Sequence, residues 1–99
     1  LIGSLFPQPK LQSGNLLDDD IGNAFALITS LTFLDEMTDQ ENKRFKDLGI
    51  IIISDATEDL LEWFKINGVG AVLLRPDRYI LGAAVIPSDL NDLFEFFNT

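Results

Sequence analysis

The chain has 99 residues, about one ordinary domain, and its 46% hydrophobic content with eight Phe excludes a disordered tail or a low-complexity fibre. Sixteen acidic residues against seven basic ones leave a formal net charge of −9, so neither nucleic acid nor an anionic membrane is expected as a partner. The sequence contains no Cys and no His, which excludes disulfides, thiol catalysis, thiolate metal sites and the commonest general base.

Residues 1–23 differ from the rest of the chain because prolines and glycines interrupt them and no hydrophobic period persists. We predict an N-terminal arm or linker over residues 1–23 and a folded domain over residues 24–99. The first residue is Leu1, and no signal-peptide pattern follows it, so we expect a fragment of a longer, cytoplasmic protein. The longest apolar runs are far shorter than the roughly 18 residues of a membrane span.

Regular patterns begin at residue 24. The apolar run of residues 24–31 predicts a strand that is buried on both faces. Thr38 and Glu41 have the spacing of a capping box, which predicts a helix that ends at Gly49. Residues 50–53 are four consecutive isoleucines, and these β-branched side chains predict a second strand that we expect to be central.

The second half of the chain predicts a helix, a hairpin and a closing helix. Asp55 and Glu58 precede an apolar face, and Asn67 with Gly68 ends that helix; the face consists of Leu60, Leu61 and Phe64. Residues 71–74 and 79–85 read as strands joined by a turn with Pro76 at its second position. The closing helix opens at Ser88 and Asp89, and its apolar stripe is Leu90, Leu93, Phe94 and Phe97.

The predicted succession is an arm followed by β, α, β, α, β, β and α. A β-α-β unit with a right-handed crossover, then a helix, a hairpin and a last helix, is the thioredoxin-type order of an α/β fold. We therefore predict a four-stranded mixed sheet in the order second, first, third, fourth, with the third strand antiparallel to the first.

Few residues in this sequence are candidates for chemistry. The run Asp18–Asp20 has the oxygen donors that Ca²⁺ or Mg²⁺ prefers, but it lacks the alternate spacing of a calcium loop, so a solvated turn or helix cap is expected. Arg75 and Arg78 could bind a carboxylate or a phosphate, or pair locally with Asp77. Trp63 is either an interface anchor or part of the core.

Two stretches are similar to a known family. Residues 3–9 (Gly-Ser-Leu-Phe-Pro-Gln-Pro), with Leu17, Asp18, Asp19, Gly22 and Phe25 after them, form the first; residues 72–80 (Val-Leu-Leu-Arg-Pro-Asp-Arg-Tyr-Ile) form the second. Together they resemble the C-terminal domain of FAD-dependent aromatic-ring hydroxylases of the 3-(3-hydroxyphenyl)propionate hydroxylase and phenol hydroxylase type.

The resemblance implies a thioredoxin-like domain attached to a monooxygenase that uses FAD, NAD(P)H and O₂. In that family the FAD fingerprint and the substrate pocket lie upstream, so the resemblance places no catalytic, cofactor-binding or metal-binding residue on this chain. A working thioredoxin would also carry a Cys-x-x-Cys pair around residues 32–37 and a cis-Pro near Val69 or Gly70. The sequence has neither, and this excludes dithiol exchange.

Two functions of different classes follow. The first is a non-catalytic C-terminal domain with a structural or subunit-contact role; the second is a free-standing, redox-inactive thioredoxin-like module that binds a protein through an apolar groove. An enzyme complete in 99 residues is not expected. For the first function we expect contact with the upstream FAD and substrate domain or with a second copy in a homodimer. The predicted interface residues are Leu5, Phe6, Pro7, Pro9 and Phe96.

Overall fold

A computed structural model describes residues 2–7, 21–54 and 57–95, which form a four-stranded mixed sheet with helices on both faces. In chain order the elements are β1 (Ala26–Thr29), α1 (Leu31–Glu36), α2 (Asp39–Asp47), β2 (Ile51–Ser54), α3 (Glu58–Asn67), β3 (Ala71–Leu74), β4 (Ile80–Ala84), a 3₁₀ turn (Pro87–Asp89) and α4 (Leu90–Phe94). The sheet order is β2-β1-β3-β4, with β1 parallel to β2 and antiparallel to β3. The predicted strand order and α/β fold class are confirmed.

The isoleucine strand lies at the edge, as the predicted strand order requires, and the central position expected from its composition is wrong. β2 lies at an edge of the sheet, and its four residues are only half-buried, whereas β1 and β3 are fully buried. β1 is a central strand, because it lies between β2 and β3. The run of four isoleucines had indicated such a position for residues 50–53. The strand also begins one residue later than predicted, because Ile50 donates its N–H to the carbonyl oxygen of Phe45, 3.0 Å away.

The first helix is a feature that the sequence reading missed. The run of residues 24–31 was predicted to be strand to its end, but β1 stops at Thr29 and α1 begins at Leu31. Ser30 causes the change, because its Oγ accepts the N–H of Phe33 at 3.1 Å and thereby caps the new helix. The apolar character of Leu31 and Phe33 had hidden this cap.

The two predicted middle helices are present. In α2, Thr38 Oγ1 accepts the N–H of Glu41 at 3.1 Å, and Glu41 Oε1 accepts the N–H of Thr38 at 2.8 Å, which confirms the capping box. α3 ends as predicted at Gly68, which has a left-handed φ of 67°. On its apolar face Leu60 is buried, but Leu61 is 43% exposed because one residue turns a helix by about 100°.

The sheet separates two hydrophobic clusters. On one face α3 packs with the arm, and the buried residues are Phe6, Ile21, Ala26, Ile28, Leu60, Phe64, Val72, Leu74 and Ile80. On the other face α1, α2 and α4 pack on the sheet, and the buried residues are Leu27, Phe33, Met37, Phe45, Ile50, Ala71, Leu73, Ala84, Leu90, Leu93 and Phe94. Leu90, Leu93 and Phe94 thus form the predicted stripe of the closing helix, and Phe97 lies outside the described residues.

Candidate functional site

The sheet has two ends that could each carry a site. At the first, which we call the Ser30 end, the register brings together Thr29 of β1, Ala71 of β3 and Ala84 of β4. At the second, the hairpin end, Ala26 of β1 aligns with Leu74 of β3, just before the turn of residues 75–78. The positions at which a working thioredoxin would carry its dithiol and its cis-Pro fall at the Ser30 end, and the arginine candidates fall at the hairpin end.

Backbone hydrogen bonds join three elements at the Ser30 end. Ser30 donates its N–H to the carbonyl oxygen of Gly70 at 3.0 Å, and Gly70 donates to the carbonyl oxygen of Ala84 at 2.9 Å. The peptide bonds of the described residues include no cis bond. This arrangement holds the start of α1 beside the segment that leads into β3.

The space between α1 and Gly70 is filled by an aromatic ring. A Cβ atom added to Gly70 would lie 2.6 Å from Cδ2 of Phe33 and 3.2 Å from the carbonyl oxygen of Val85. Phe33 is only 3% exposed. A side chain at position 70 would collide with this ring, so the Ser30 end is a closed packing contact.

Ser30 and Thr29 carry hydroxyl groups at this end, and neither of the two is set up for nucleophilic chemistry. Ser30 Oγ caps α1, and Thr29 Oγ1 is buried and has no hydrogen-bond partner among residues 2–7, 21–54 and 57–95. A nucleophilic hydroxyl needs a base within hydrogen-bond reach, and a buried hydroxyl without a partner has none. Within the described residues, no group of three or more acidic side chains could hold a metal ion. Asp18–Asp20 lie outside the described residues.

The hairpin end is built from a turn with an unusual backbone. Arg78 donates its N–H to the carbonyl oxygen of Arg75 at 2.9 Å, and Arg75 donates to that of Tyr79 at 3.0 Å. Arg78 has a φ of 72°, a left-handed conformation that hairpins with a bulge usually give to glycine. The pairing of β3 with β4 shifts register at Leu73 and Leu74, beside this turn.

Each charged side chain of the turn has a separate partner. Arg75 and Asp77 form an ion pair with Nη2 and Oδ2 2.8 Å apart, and both side chains are about half exposed. Arg78 is 9% exposed; its Nη1 donates to the carbonyl oxygen of Pro76 at 2.6 Å, and its Nη2 donates to that of Gly22. Arg75 therefore pairs locally, and Arg78 fastens the segment before β1 to the hairpin.

The arm adds a short extra segment to the outer edge of the sheet. Gly3 donates its N–H to the carbonyl oxygen of Ile80 at 2.8 Å, Phe6 donates to that of Arg78 at 2.9 Å, and Ile80 donates to that of Ser4 at 2.9 Å. Leu5 and Tyr79 are antiparallel partners in this pairing. The hairpin end therefore holds two separate parts of the N-terminal region, residues 3–6 and residue 22.

The predicted interface residues take different positions. Phe6 is 1% exposed, and its ring packs edge-to-face on Trp63 with a centroid distance of 4.8 Å. Leu5 and Pro7 are exposed, while Pro9 and Phe96 lie outside the described residues. Phe6 thus packs on this chain's own core, with Trp63 in the same contact. The interface role of these residues stays a prediction.

A small cleft lies between α2 and α4. It has a volume of about 190 Å³ and is lined by Gln40, Glu41, Arg44, Asn91 and Phe94. The Arg44 guanidinium lies 3.9 Å from the centroid of the Phe94 ring, and the Glu41 carboxylate is engaged in the cap of α2. Its charged groups therefore serve a cation–π contact and a helix cap.

Sequence reasoning missed the two contacts that define these ends. Gly70 gave a signal, since it stands next to β3 without a turn to explain it, and such a glycine often marks a close approach. The sequence contains no comparable signal for the inward position of Arg78, because the neighbouring Asp77 could pair with either Arg75 or Arg78.

Comparisons with known proteins agree with the resemblance read from the sequence. The family model of the HcaD C-terminal domain matches residues 3–99. A 3-(3-hydroxy-phenyl)propionate/3-hydroxycinnamic acid hydroxylase from Mycolicibacterium vanbaalenii is 28% identical in an alignment that covers 84% of this chain and 19% of the hydroxylase. The chain therefore spans about a fifth of the length of this relative.

Two solved structures have the same fold. The anhydrotetracycline hydroxylase OxyS from Streptomyces rimosus matches with a TM-score of 0.63 and 21% identity over 96% of this chain and 20% of its own. The thioredoxin domain of a thiol-disulfide oxidoreductase from Bacteroides vulgatus matches with a TM-score of 0.66 and 17% identity over 100% of this chain and 99% of its own. The thioredoxin-like fold is thus confirmed. None of the helices in the described part of the chain is long and apolar enough to cross a membrane.

Proposed function

The chain belongs to the HcaD C-terminal domain family, and from that premise we propose that it is the non-catalytic C-terminal domain of an FAD-dependent, NAD(P)H-using aromatic-ring monooxygenase. Its role is structural: it packs against the upstream FAD and substrate domain of the same polypeptide. The proposed reaction is hydroxylation of an aromatic acid like the one named for the Mycolicibacterium relative, in the cytoplasm.

The observation that carries this proposal is the closed Ser30 end. Phe33, which lies within residues 32–37 where a working thioredoxin would carry its reactive pair, packs against Gly70 instead. The sequence also contains no Cys or His. Both facts support a domain that retained the fold and serves a purpose other than redox chemistry.

The residues of this chain do not fit FAD. A dinucleotide site needs a glycine-rich turn that follows a strand and opens a helix, so that backbone N–H groups can reach the pyrophosphate. Here Ser30 alone separates β1 from α1, and residues 55–57 between β2 and α3 are Asp-Ala-Thr. The proposal therefore assigns FAD and NAD(P)H to the upstream region.

Flavin titration tests this division of labour. We expect the 99-residue chain to leave FAD fluorescence unchanged. We expect the full polypeptide to bind FAD, and the upstream region without residues 1–99 to retain that binding. Saturable quenching of FAD by the 99-residue chain at micromolar concentration would overturn the proposal. Loss of FAD binding on removal of the domain, with the upstream region still folded by circular dichroism, would do the same.

A second function is favoured by a separate observation. Leu31, Val85 and Ile86 are 45%, 61% and 52% exposed, and all three lie at the Ser30 end. An apolar surface there suits the free-standing protein-binding module. The reading frame upstream of Leu1 discriminates between the two functions, since a G-x-G-x-x-G fingerprint after a strand favours the hydroxylase domain and its absence favours the module.

A further inference from the structure

Exposed large hydrophobic residues follow the arm and the edge strand β4, from the hairpin end to the Ser30 end of the sheet. Among the described residues nine such side chains are exposed, and five of them lie on the arm or on β4 and its flanking residues. These five, which we call the arm–β4 surface, are Ile2 (69%), Leu5 (62%), Tyr79 (43%), Val85 (61%) and Ile86 (52%). Isolated exposed hydrophobics are ordinary, whereas a group of them on adjacent segments indicates a contact surface.

The same segments are free of charge in a strongly acidic chain. Residues 1–9 and residues 79–88 contain no Asp, Glu, Lys or Arg, although the chain carries a net charge of −9. By contrast, exposed Leu61 and Ile66 on α3 have Glu62 and Lys65 between them. The hydrophobic side chains of the arm–β4 surface therefore lose their water in a contact without desolvating a charge of their own. The carboxylates beside the surface are those of Asp77, which accepts the Tyr79 N–H at 3.3 Å, and Asp89, which accepts the N–H groups of Val85 and Ile86 at 3.0 and 3.1 Å.

Backbone pairing fixes part of this surface. Leu5 and Tyr79 lie opposite each other between two backbone hydrogen bonds, one from the Phe6 N–H to the Arg78 carbonyl oxygen and one from the Ile80 N–H to the Ser4 carbonyl oxygen. Leu5 and Tyr79 are therefore a non-hydrogen-bonded pair. In such a pair the side chains stand close together on one face of the sheet. Phe6 points to the opposite face, into the core beside Trp63. The arm thus exposes the Leu5 side chain on one face and buries the Phe6 side chain on the other.

We propose that the arm–β4 surface is the docking site for the hydroxylase region that precedes this domain in its family, an inference that rests on the proposed function. The family is a C-terminal domain, and the chain covers 19% and 20% of two hydroxylases that it matches. In such a hydroxylase most of the polypeptide is therefore outside the domain that this chain matches. Because residues 3–6 pair with the edge of β4, that region is tethered at this surface and meets it at high effective concentration.

A second copy of the chain is the less favoured occupant. Two domains that each carry a charge of −9 repel one another, whereas an upstream region is covalently joined and needs no such approach. An isologous dimer would also have to match Leu5 and Tyr79 with themselves or with each other across a two-fold axis.

The test compares Leu5→Glu with Leu61→Glu in the full polypeptide. Both substitutions add one negative charge at an exposed leucine, and only Leu5 lies on the arm–β4 surface. Hydrogen exchange is followed at residues 79–86, at residues 26–29 of β1, and throughout the upstream region. We expect Leu5→Glu to speed exchange about tenfold at residues 79–86 and at one upstream segment, with β1 unchanged, and Leu61→Glu to change neither.

Val85→Glu provides an independent variant if Leu5→Glu also loosens β1. Equal exchange in the Leu5, Val85 and Leu61 variants would overturn the docking site, as would an effect confined to Leu61→Glu, which would place the contact on α3. The full polypeptide could instead form a dimer that Leu5→Glu dissociates, with no upstream segment exchanging faster. That result would overturn the upstream region as the occupant and assign the arm–β4 surface to a second copy of the chain. FAD content, measured in the same samples, reports separately on the proposed function.

Discussion

At the Ser30 end an aromatic ring closes the sheet against Gly70, whereas at the hairpin end two arginines and an aspartate organise the turn that holds the N-terminal region. In a thioredoxin-like enzyme the first of these ends would carry the chemistry. Here the polar groups are concentrated at the other end, and there they bind this chain's own backbone. The comparison indicates that the distinctive residues of this domain serve the attachment of its N-terminal segment.

The two ends also differ in what their conformations cost. Arg78 is held in a left-handed conformation, which costs a non-glycine residue about 1–3 kcal/mol, and its charge is nearly buried. The turn keeps this residue because its guanidinium donates to the carbonyl oxygens of Pro76 and Gly22. The side chains that close the Ser30 end, Phe33 and its neighbours, are neutral, and the Thr29 hydroxyl there is buried without a hydrogen-bond partner among the described residues.

The largest expected effect is at the hairpin end, where Phe6→Ala removes the ring that joins the arm to the core. We expect the free energy of unfolding to fall by about 3–5 kcal/mol, because a fully buried Phe is replaced by a cavity. Urea unfolding of the 99-residue chain, followed by the fluorescence of its one Trp, measures this directly, since Trp63 is the neighbour of Phe6. Pro7→Ala is the control at an exposed position; a loss below about 1 kcal/mol for Phe6→Ala would show that the arm is passive.

Arg78→Ala is expected to have the next largest effect. Removing the guanidinium leaves the Gly22 carbonyl without this donor while the left-handed backbone remains, so we expect a loss of about 2–3 kcal/mol. Arg78→Gly should lose about 1 kcal/mol less, since glycine adopts this conformation without strain.

Arg75→Ala is the matched control for the Arg78 variants. The ion pair of Arg75 with Asp77 is half exposed, and removing it should cost under about 1 kcal/mol. Equal losses for Arg75→Ala and Arg78→Ala in the same denaturation experiment would contradict the distinct roles assigned to the two arginines.

Much of this fold is visible in local patterns of the sequence. The capping box of Thr38 and Glu41, the stop at Gly68 and the hairpin at Pro76 all depend on interactions within four residues, and each was predicted correctly. The isoleucine run was misleading, because its composition indicated a central strand, whereas the number of strands beside such a run depends on distant pairing; only the predicted strand order placed β2 at the edge. The cap at Ser30 was missed because the residues after it are as apolar as a strand.

The sites were harder to predict for the same reason. Gly22 and Arg78 are 56 residues apart in sequence, and Phe33 meets Gly70 across two strands of the sheet. A sequence pattern carries no direct signal for contacts of this range. The family resemblance did identify residues 72–80 as distinctive, but it did not show that Arg78 faces inward.

At the Ser30 end the close contact predicts a moderate effect. Gly70→Ala should lower the free energy of unfolding by about 1–3 kcal/mol, because the added methyl group would lie 2.6 Å from the Phe33 ring. The double variant Gly70→Ala with Phe33→Leu should lose less than the sum of the two single changes, since the smaller side chain makes room for the methyl. Strictly additive losses would mean that Phe33 does not fill the space beside Gly70.

The smallest effect is also expected at the Ser30 end, and it has the opposite sign. Thr29 is fully buried in β1, and its Oγ1 has no hydrogen-bond partner in the part of the chain that the structure describes. Thr29→Val replaces that hydroxyl by a methyl group of similar size in a strand, where valine is well tolerated. We expect the free energy of unfolding to rise by about 1 kcal/mol, because an unsatisfied polar atom leaves the core.

The same substitution at Thr38 provides the control for Thr29→Val. The Thr38 hydroxyl caps α2 at 3.1 Å, so Thr38→Val should lower the free energy of unfolding by about 1 kcal/mol. Thermal unfolding of the two variants should therefore shift in opposite directions, by about 4–8 °C each for a domain of this size. A lower melting temperature for Thr29→Val would show that the Thr29 hydroxyl has a partner, and the Ser30 end would then hold a polar interaction that the packing of Phe33 and Gly70 does not account for.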